Sequence, residues 1–222
     1  MLPDAIAHQV QHVLRLGTSD WICLLSGEGE VYLAQLGEHA RIARLQPSEL
    51  DTELPFHVTV LQAWVRPEKA EMALRLCVQG GAQAIYFAPS ERSVVKWEPS
   101  KQTKHAERWQ KIAQEEAELA CRARLPQVRL LEHWQTAFRT LPRPILVLDE
   151  WEGATALKQC VRRMPMPSML SLVVGAEGGF SPAERKWMAA QPEVYAVSLG
   201  KRVLRTESAA FYALGQLSAL WE

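Results

Sequence analysis

The chain has 222 residues, of which 48% are apolar, enough to bury one large hydrophobic core or two smaller ones. Its 25 lysines and arginines balance its 25 aspartates and glutamates, so a polyanionic partner would have to meet a local basic patch. The four cysteines are widely separated and form no cluster with histidine, which argues against zinc and against a disulfide framework and favours reduced core thiols.

The first twenty residues contain no apolar signal region, and no later stretch approaches the length of a membrane span. The sequence therefore predicts a cytoplasmic protein without membrane contact.

From Trp21 the sequence alternates in short runs. The runs WICLLS and EVYLAQL flank Gly27-Glu28-Gly29, a pattern that is typical of a β-hairpin. Another alternating run, HARIARLQPSEL, leads to Pro55. We therefore expect a small β domain over residues 1–55.

After Pro55 the rhythm changes to alternating strands and helices, which predicts an α/β domain with a largely parallel sheet over residues 56–222. The predicted elements are a β-rich run His57–Val65, a helix Pro67–Gln79 ended by Gly80-Gly81, and strands near Ala84–Ala88, Ile145–Leu148, Leu170–Val174 and Val194–Leu199.

The stretch Lys96–Lys111 holds five basic residues against two acidic ones, with Trp97 and Trp109 interleaved. Basic and aromatic side chains suit an RNA backbone and an unstacked base. Apolar residues at helical spacing favour the alternative, a helix with one buried face and solvated lysines, and they predict Trp109 in the core. The residues at that spacing are Trp109, Ile112, Ala113, Glu116, Ala117 and Ala120.

The segment LVVGAEGGFSPAER predicts a strand, a glycine loop and a helix in direct succession. Glycines after the strand Ser171–Val174 let backbone approach a bound molecule without side-chain obstruction. Ser181 and Pro182 suit the N-cap and first turn of a helix, and Glu184 completes a capping box. This arrangement is typical of small-molecule sites at the carboxyl edge of a parallel sheet.

The segment SLGKRVLRTESAAFYAL predicts a second such loop. A strand ends at Leu199-Gly200, a basic turn follows, and an apolar helix begins at Thr206 or Ser208. The turn holds three cations in five residues, which indicates anion binding or charge stabilisation during a reaction. We expect both glycine loops to face a single ligand.

These two segments, at their spacing, resemble the signature pair of the RsmE family, small-subunit (16S) rRNA uridine-N3 methyltransferases of the SPOUT superfamily. The resemblance extends to APSERSVVKW, ERWQKIAQEEAE and HQVQHVLRLGTSDWICLLSGEGEVYLAQL, so it covers nearly the whole chain. It implies a PUA-like β-barrel for RNA binding over 1–55, apparently truncated at its start, and a SPOUT methyltransferase domain with a trefoil knot over 56–222. It also implies S-adenosylmethionine as cofactor, ribosomal RNA as partner and a homodimer.

The resemblance implies that the cofactor is held by backbone groups of the two loops and their neighbours. The implied cofactor-binding residues are Leu148, Gly175, Glu177, Gly178, Gly179, Leu199, Gly200, Val203, Leu204 and Thr206. The predicted RNA-binding residues, for which a purely solvated role is the alternative, are Arg15, Arg92, Lys96 and Arg202.

The proton on uridine N3 lies between two carbonyl groups, so methylation needs a base or a donor that stabilises charge on the carbonyl oxygens. The candidate catalytic residues are Arg205, Glu177 and Glu207. Arg205 suits an oxyanion or phosphate and can act across a dimer interface. Alternatively, Glu177 braces the loop by accepting backbone N–H bonds, and Glu207 caps the last helix. No metal is required, because the sulfonium already activates the methyl group.

The chain also departs from the family pattern. Arg75-Leu76 and Gln79 stand where the family usually has glutamine-lysine and glutamate, and Ala176 replaces a proline of the glycine loop. Two other functions therefore stay open. One is a divergent, non-catalytic protein that binds S-adenosylmethionine or RNA; the other is a SPOUT methyltransferase with another RNA target.

Overall fold

The structure is a computed structural model that describes residues 2–95, 99–151 and 153–221. The chain divides into two units, of which the first comprises Met1–Glu53 and Cys121–Leu125. The second comprises Leu54–Ala120 and Pro126–Glu222. In the described part of the chain, no helix is long and apolar enough to cross a membrane.

The first unit is built on an antiparallel sheet in the order β1-β2-β3. Its elements are helix α1 (Asp4–His8), which continues as a π-helical segment Gln9–Val13, strands β1 (Trp21–Leu25), β2 (Val31–Leu36) and β3 (Ile42–Pro47), and a 3₁₀ turn Glu38–Ala40. The β1-β2 pair is the hairpin that the sequence predicts. One face of the sheet packs on the N-terminal helical segment, in a small core around Val10 and Leu36.

The segment Cys121–Leu125 returns from later in the chain to complete this unit. The Gly29 amide donates a hydrogen bond to the Ala123 carbonyl oxygen at 3.0 Å. The Arg122 guanidinium binds both carboxylate oxygens of Glu53, at 2.6 and 3.3 Å, and both side chains are buried. A buried arginine needs such a two-pronged partner, so this pair fixes the returning segment.

The second unit contains a seven-stranded sheet in the order β6-β5-β4-β9-β7-β10-β8. The strands are β4 (His57–Ala63), β5 (Ala84–Ala88), β6 (Gln127–Leu130), β7 (Ile145–Leu148), β8 (Thr155–Ala156), β9 (Met169–Val174) and β10 (Val194–Ser198). All of these pairs are parallel, which confirms the predicted α/β class. Apolar side chains cover both faces, so the central strands are mostly apolar, with Thr59, Gln62 and Ser171 as buried polar exceptions.

Helices connect these strands. They are α2 (Pro67–Gln79), α3 (Pro99–Leu119), α4 (Trp134–Arg139), α5 (Leu157–Val161), α6 (Pro182–Ala189) and α7 (Thr206–Trp221). Helix α6 begins with the predicted capping box: Ser181 Oγ accepts from the Glu184 amide at 3.0 Å, and Glu184 Oε2 accepts from the Ser181 amide at 2.8 Å. Helix α7 begins at Thr206, the first of the two predicted positions.

Helix α3 places the apolar face of the basic stretch in the core, as the helical spacing predicts. Trp109 is fully buried, with its ring 4.5 Å from that of Phe87. Ile112, Ala113, Glu116 and Ala117 are buried with it, and Ala120 is half-buried. Trp97 of this stretch lies outside the described residues.

The expectation of core cysteines is correct for only half of them. Cys77 and Cys160 are buried free thiols, and burial raises the pKa of Cys77 to about 12. Cys23 and Cys121 are free and exposed, so for them the expectation is wrong. Cys23 is exposed because side chains alternate between the two faces along β1. Its neighbours Ile22 and Leu24 pack against the core, so Cys23 lies on the other face.

Candidate active site

A cavity of about 310 Å³ lies at the carboxyl ends of the adjacent strands β7, β9 and β10. Its wall combines the residues after Leu148, the glycine loop after Val174 and the loop after Ser198. This volume is in the range of small-molecule sites, and ligands of open parallel sheets bind at this edge. The two glycine loops therefore face one cavity, as expected.

The structure brings nine of the ten implied cofactor-binding residues to the cavity wall. These are Leu148, Gly175, Glu177, Gly179, Leu199, Gly200, Val203, Leu204 and Thr206. Gly178 is not among the lining residues. A Cβ added there would lie 3.5 Å from Arg92 Cδ, so Gly178 lies under the Arg92 side chain.

The loop after β9 is packed closely on itself. A Cβ added to Gly175 would lie 3.1 Å from both Cα and the carbonyl carbon of Gly179. The Gly179 amide donates to the Ala176 carbonyl oxygen at 2.9 Å, and Gly179 has a φ of +67°. Because the obstacle at Gly175 is backbone, the loop needs a glycine there to turn back over the strand end.

A buried polar link joins the two loops. Thr206 Oγ1 donates a hydrogen bond to the Gly175 carbonyl oxygen at 2.6 Å and accepts one from Gln62 Nε2 at 2.8 Å. Gln62 Nε2 also lies 3.2 Å from the same carbonyl oxygen. Sequence reasoning missed Gln62, although a glutamine inside the apolar run VTVLQAWV is a signal that its side chain has a specific buried partner.

The two candidate carboxylates line the cavity in different environments. Glu177 Oε1 lies 3.1 Å from Lys69 Nζ, so an ammonium group is a partner of this carboxylate. Lys69, in the first turn of α2, also lines the cavity and was missed. Glu207 Oε2 is buried and has no hydrogen-bond partner among the described residues.

Arg205 lies at the rim, with its side chain 84% exposed and Nη1 3.9 Å from Glu207 Oε1. An ion pair this exposed and this long contributes little to stability. The Arg205 guanidinium is therefore available to a molecule that enters from solvent.

A second arginine is fixed firmly beside the cavity. Arg185 Nε and Nη2 donate to the two oxygens of Asp149, at 2.6 and 3.0 Å, and Asp149 lines the cavity after β7. The hydrogen bond with Asp149 raises the pKa of Arg185. Sequence reasoning missed this pair, since the two residues lie on different connections.

The described residues that the sequence assigns to RNA binding belong to both units. Arg15 is exposed in the first unit, with a φ of +55°. In the second unit, Arg92 Nη1 donates to the Gly178 carbonyl oxygen at 2.7 Å, and Arg202 lines the cavity and donates to the Tyr212 hydroxyl at 3.2 Å. Lys96 lies outside the described residues.

Known proteins resemble this chain over both units. The RNA methyltransferase domain family matches residues 52–218. Ribosomal RNA small subunit methyltransferase E of Synechocystis sp. is 33% identical over 226 residues, covering 100% of this chain and 73% of the relative. The Bacillus subtilis protein of the same name is 29% identical over 95% of this chain and 86% of its own length.

A solved structure shows the same fold. The crystal structure of ribosomal RNA small subunit methyltransferase E from Neisseria gonorrhoeae, bound to S-adenosyl methionine, has a TM-score of 0.83 and 28% identity. The similarity covers 99% of this chain and 91% of that one. Because the family model matches most of the chain and the Synechocystis relative is similar over all of it, the chain belongs to the ribosomal RNA small subunit methyltransferase E family of RNA methyltransferases.

Proposed function

We propose that this protein transfers the methyl group of S-adenosylmethionine to N3 of a uridine in 16S ribosomal RNA of the small subunit. The observation that carries the proposal is the cavity at the carboxyl ends of β7, β9 and β10, walled by both glycine loops. The Neisseria gonorrhoeae relative, which has S-adenosyl methionine bound, supports the same assignment.

The residues of the cavity fit this cofactor. Gly175 and Gly200 let backbone come close to a ligand, and the apolar side chains of Leu148 and Leu204 offer a wall for a ring. The buried Glu207 Oε2, which has no partner among the described residues, suits a cationic group. When bound, the cofactor supplies a methyl group already activated by its positively charged sulfur.

The chain's own residues then handle the uridine. The N3 proton has to leave before or as the methyl group arrives, and the carbonyl oxygens gain negative charge. The exposed Arg205 guanidinium donates hydrogen bonds to such an oxygen. Of the four described carboxylates that line the cavity, we assign acceptance of the N3 proton to Glu177, which pairs with Lys69, or to Glu207.

The finer architecture is also part of the proposal. We assign the domain boundary to residue 55, a PUA-like RNA-binding role to the first unit, and a trefoil knot and a homodimer to the second. The antiparallel sheet β1-β2-β3 supports the PUA-like role of the first unit. The knot and the homodimer are proposed from the family resemblance alone. A ribosomal RNA substrate implies a cytoplasmic enzyme.

Two of the departures from the family pattern, Arg75 and Gln79, lie in the contact between α2 and α3. Arg75 forms an ion pair with Glu116, and Gln79 Nε2 donates to the other oxygen of that buried carboxylate at 2.7 Å. These contacts join α2 to α3, and none of the three residues is among those that line the cavity. These two substitutions therefore affect how two helices pack, whereas the third departure, Ala176, is itself among the residues that line the cavity.

Transfer of labelled methyl from S-adenosylmethionine tests the proposal. The substrates are small ribosomal subunits that lack this modification, naked 16S rRNA and tRNA, and the labelled nucleoside is then identified. We expect 3-methyluridine from the subunits or from 16S rRNA. Label found only in tRNA would support the alternative target, and protein that binds the cofactor but labels no RNA would contradict a methyltransferase.

A further inference from the structure

Trp151 is a large apolar side chain on the protein surface, 62% exposed, in the turn that follows β7. The turn is held by its own backbone, because the amides of Gly153 and Ala154 donate to the Trp151 carbonyl oxygen at 2.9 and 3.0 Å. Tryptophan is highly buried on average, so an exposed indole next to residues that line the cavity points to a binding role.

Arg185 fixes the position of this indole. Its guanidinium carbon lies 5.9 Å from the centroid of the Trp151 ring, within the range of a cation–π contact. Because Arg185 is itself held by both oxygens of Asp149, the cation cannot swing away without breaking two hydrogen bonds. The indole is thus pre-positioned while most of its surface stays open to solvent.

A continuous strip connects Trp151 to Arg92. A Cβ added to Gly179 would lie 3.8 Å from Arg185 Nη2, and Arg92 lies over the neighbouring Gly178, whose carbonyl oxygen it binds. We call this surface, formed by Arg92, Gly178, Gly179, Arg185 and Trp151, the Arg92–Trp151 strip. It follows the edge of the cavity, since Gly179 and the two residues before Trp151 line it.

We propose that the Arg92–Trp151 strip binds the single-stranded RNA next to the target uridine, with an unpaired base stacked on Trp151 and a phosphate bound by Arg92. This inference rests on the proposed function. An exposed indole takes the face of any base, and stacking of this kind is a common way to hold single strands.

The side chains at the two ends of the strip suit different parts of a nucleotide, although each end also has an exposed carboxylate next to it, Glu150 at one end and Glu91 at the other. Glu150 is exposed beside Trp151 and would repel a phosphate, so this end suits the uncharged face of a base. At the other end, Arg92 is exposed and uses one N–H group for the Gly178 carbonyl oxygen, which leaves further donors of its five for phosphate oxygens. An exposed aromatic face together with a guanidinium that has further donors suits a base and a phosphate of a single strand.

The test is equilibrium binding of a ten-nucleotide single-stranded oligouridylate to the full chain, followed by fluorescence anisotropy. Trp151→Ala should weaken binding roughly 5- to 100-fold, the usual effect of removing one stacking side chain. Trp151→Phe should keep most of the affinity. With unlabelled oligouridylate, quenching of indole fluorescence should occur in the wild type and be lost in Trp151→Phe.

Two further variants make the result specific. Tyr195→Ala removes an exposed aromatic side chain at the amino end of β10, the end away from the cavity, and should bind RNA like the wild type. Arg92→Ala should lower the slope of log affinity against log salt by about 0.7, the change expected for one phosphate contact to a single strand. Calorimetry with S-adenosylmethionine should show unchanged cofactor binding in Trp151→Ala.

Failure of this inference differs from failure of the proposed function. If the wild type transfers methyl and Trp151→Ala keeps the RNA affinity and KM of the wild type, only the proposal that the strip binds RNA is contradicted. Trp151 would then be assigned to contact with a protein partner. RNA binding with Trp151-dependent quenching but without methyl transfer to any RNA supports the strip and contradicts the proposed function.

Discussion

The two glycine loops of the cavity have the same order of elements, in which a strand ends, a glycine follows and a helix begins. They differ in how closely they pack against the rest of the protein. The loop after β9 is packed inward, with Ala176 and Phe180 buried and Gly175 against Gly179. The loop after β10 is open, with Val203 76% exposed and Arg205 at the rim. One wall of the cavity is thus packed against the protein's own backbone, whereas the other is largely exposed, and we expect a bound ligand to order it.

The elements on either side explain this difference. The first loop leads directly into α6, whose capping box fixes the chain at Ser181. The second loop is anchored at its end by Thr206, but a Cβ added to Gly200 would meet no atom within 4 Å. The comparison shows that a glycine after a strand can serve close packing at one site and a positive φ at another, since Gly200 has a φ of +124°.

The largest effect is expected where the inward-packed loop is disrupted. Gly175→Val should abolish measurable binding of S-adenosylmethionine in calorimetry, because its side chain would meet the Gly179 backbone at 3.1 Å and force the loop into the cavity. A folded Gly175→Val protein with wild-type cofactor affinity would show that this loop is not a cofactor wall.

Gly178→Ala is the matched control for that variant. The sequence assigns both glycines to the cofactor, whereas the structure places Gly178 under the flexible Arg92 side chain, 3.5 Å from the added Cβ. Cofactor affinity should therefore stay close to that of the wild type. A loss of cofactor affinity as large as that of Gly175→Val would support the prediction from the sequence that Gly178 binds the cofactor.

The open loop is expected to matter for turnover more than for binding. Arg205→Ala should lower kcat about 100-fold, the usual effect of removing one donor to a developing oxyanion, with little change in cofactor affinity. Thermal stability should not change, because the side chain is exposed. Equal losses of kcat and cofactor affinity would indicate a binding or folding role instead.

A smaller effect is expected at the link between the loops. Thr206→Val keeps the shape but removes the hydroxyl that binds Gly175 and Gln62, so the free energy of unfolding should fall by about 1–3 kcal/mol. Urea denaturation measures this change. Thr206→Ser, which retains the hydroxyl, is the control, and equal stability of Thr206→Val and the wild type would refute the link.

The smallest effect concerns the helix that follows the open loop. Gly215 lies exposed inside α7, and a Cβ there would meet no atom within 4 Å. Gly215→Ala should raise the free energy of unfolding by about 0.5–1 kcal/mol through better helix propensity. If urea denaturation shows unchanged or lower stability, α7 is constrained at Gly215 by a contact with another molecule.

Local features were predictable from the sequence. Ser181, Pro182 and Glu184 determine the start of α6 through contacts within one helical turn, and the glycines mark both loops. The apolar period likewise placed Trp109 in the core.

Long-range contacts were not predictable in this way. Gln62 and Thr206 are 144 positions apart, and only the strand order brings them together. The pairs Lys69–Glu177 and Asp149–Arg185 also join different connections of the sheet, and no local pattern marks such partners. The same reason applies to Cys121–Leu125, which joins the first unit from a distant part of the chain.

Amide hydrogen exchange with and without S-adenosylmethionine tests the central claim most directly, namely that one cavity wall is preformed and the other is ordered by the ligand. We predict slow exchange in residues 175–180 of the free protein and a gain of protection in residues 199–205 when saturating cofactor is added. Fast exchange in 175–180 of the free protein, or no change in 199–205 on cofactor addition, would contradict the account.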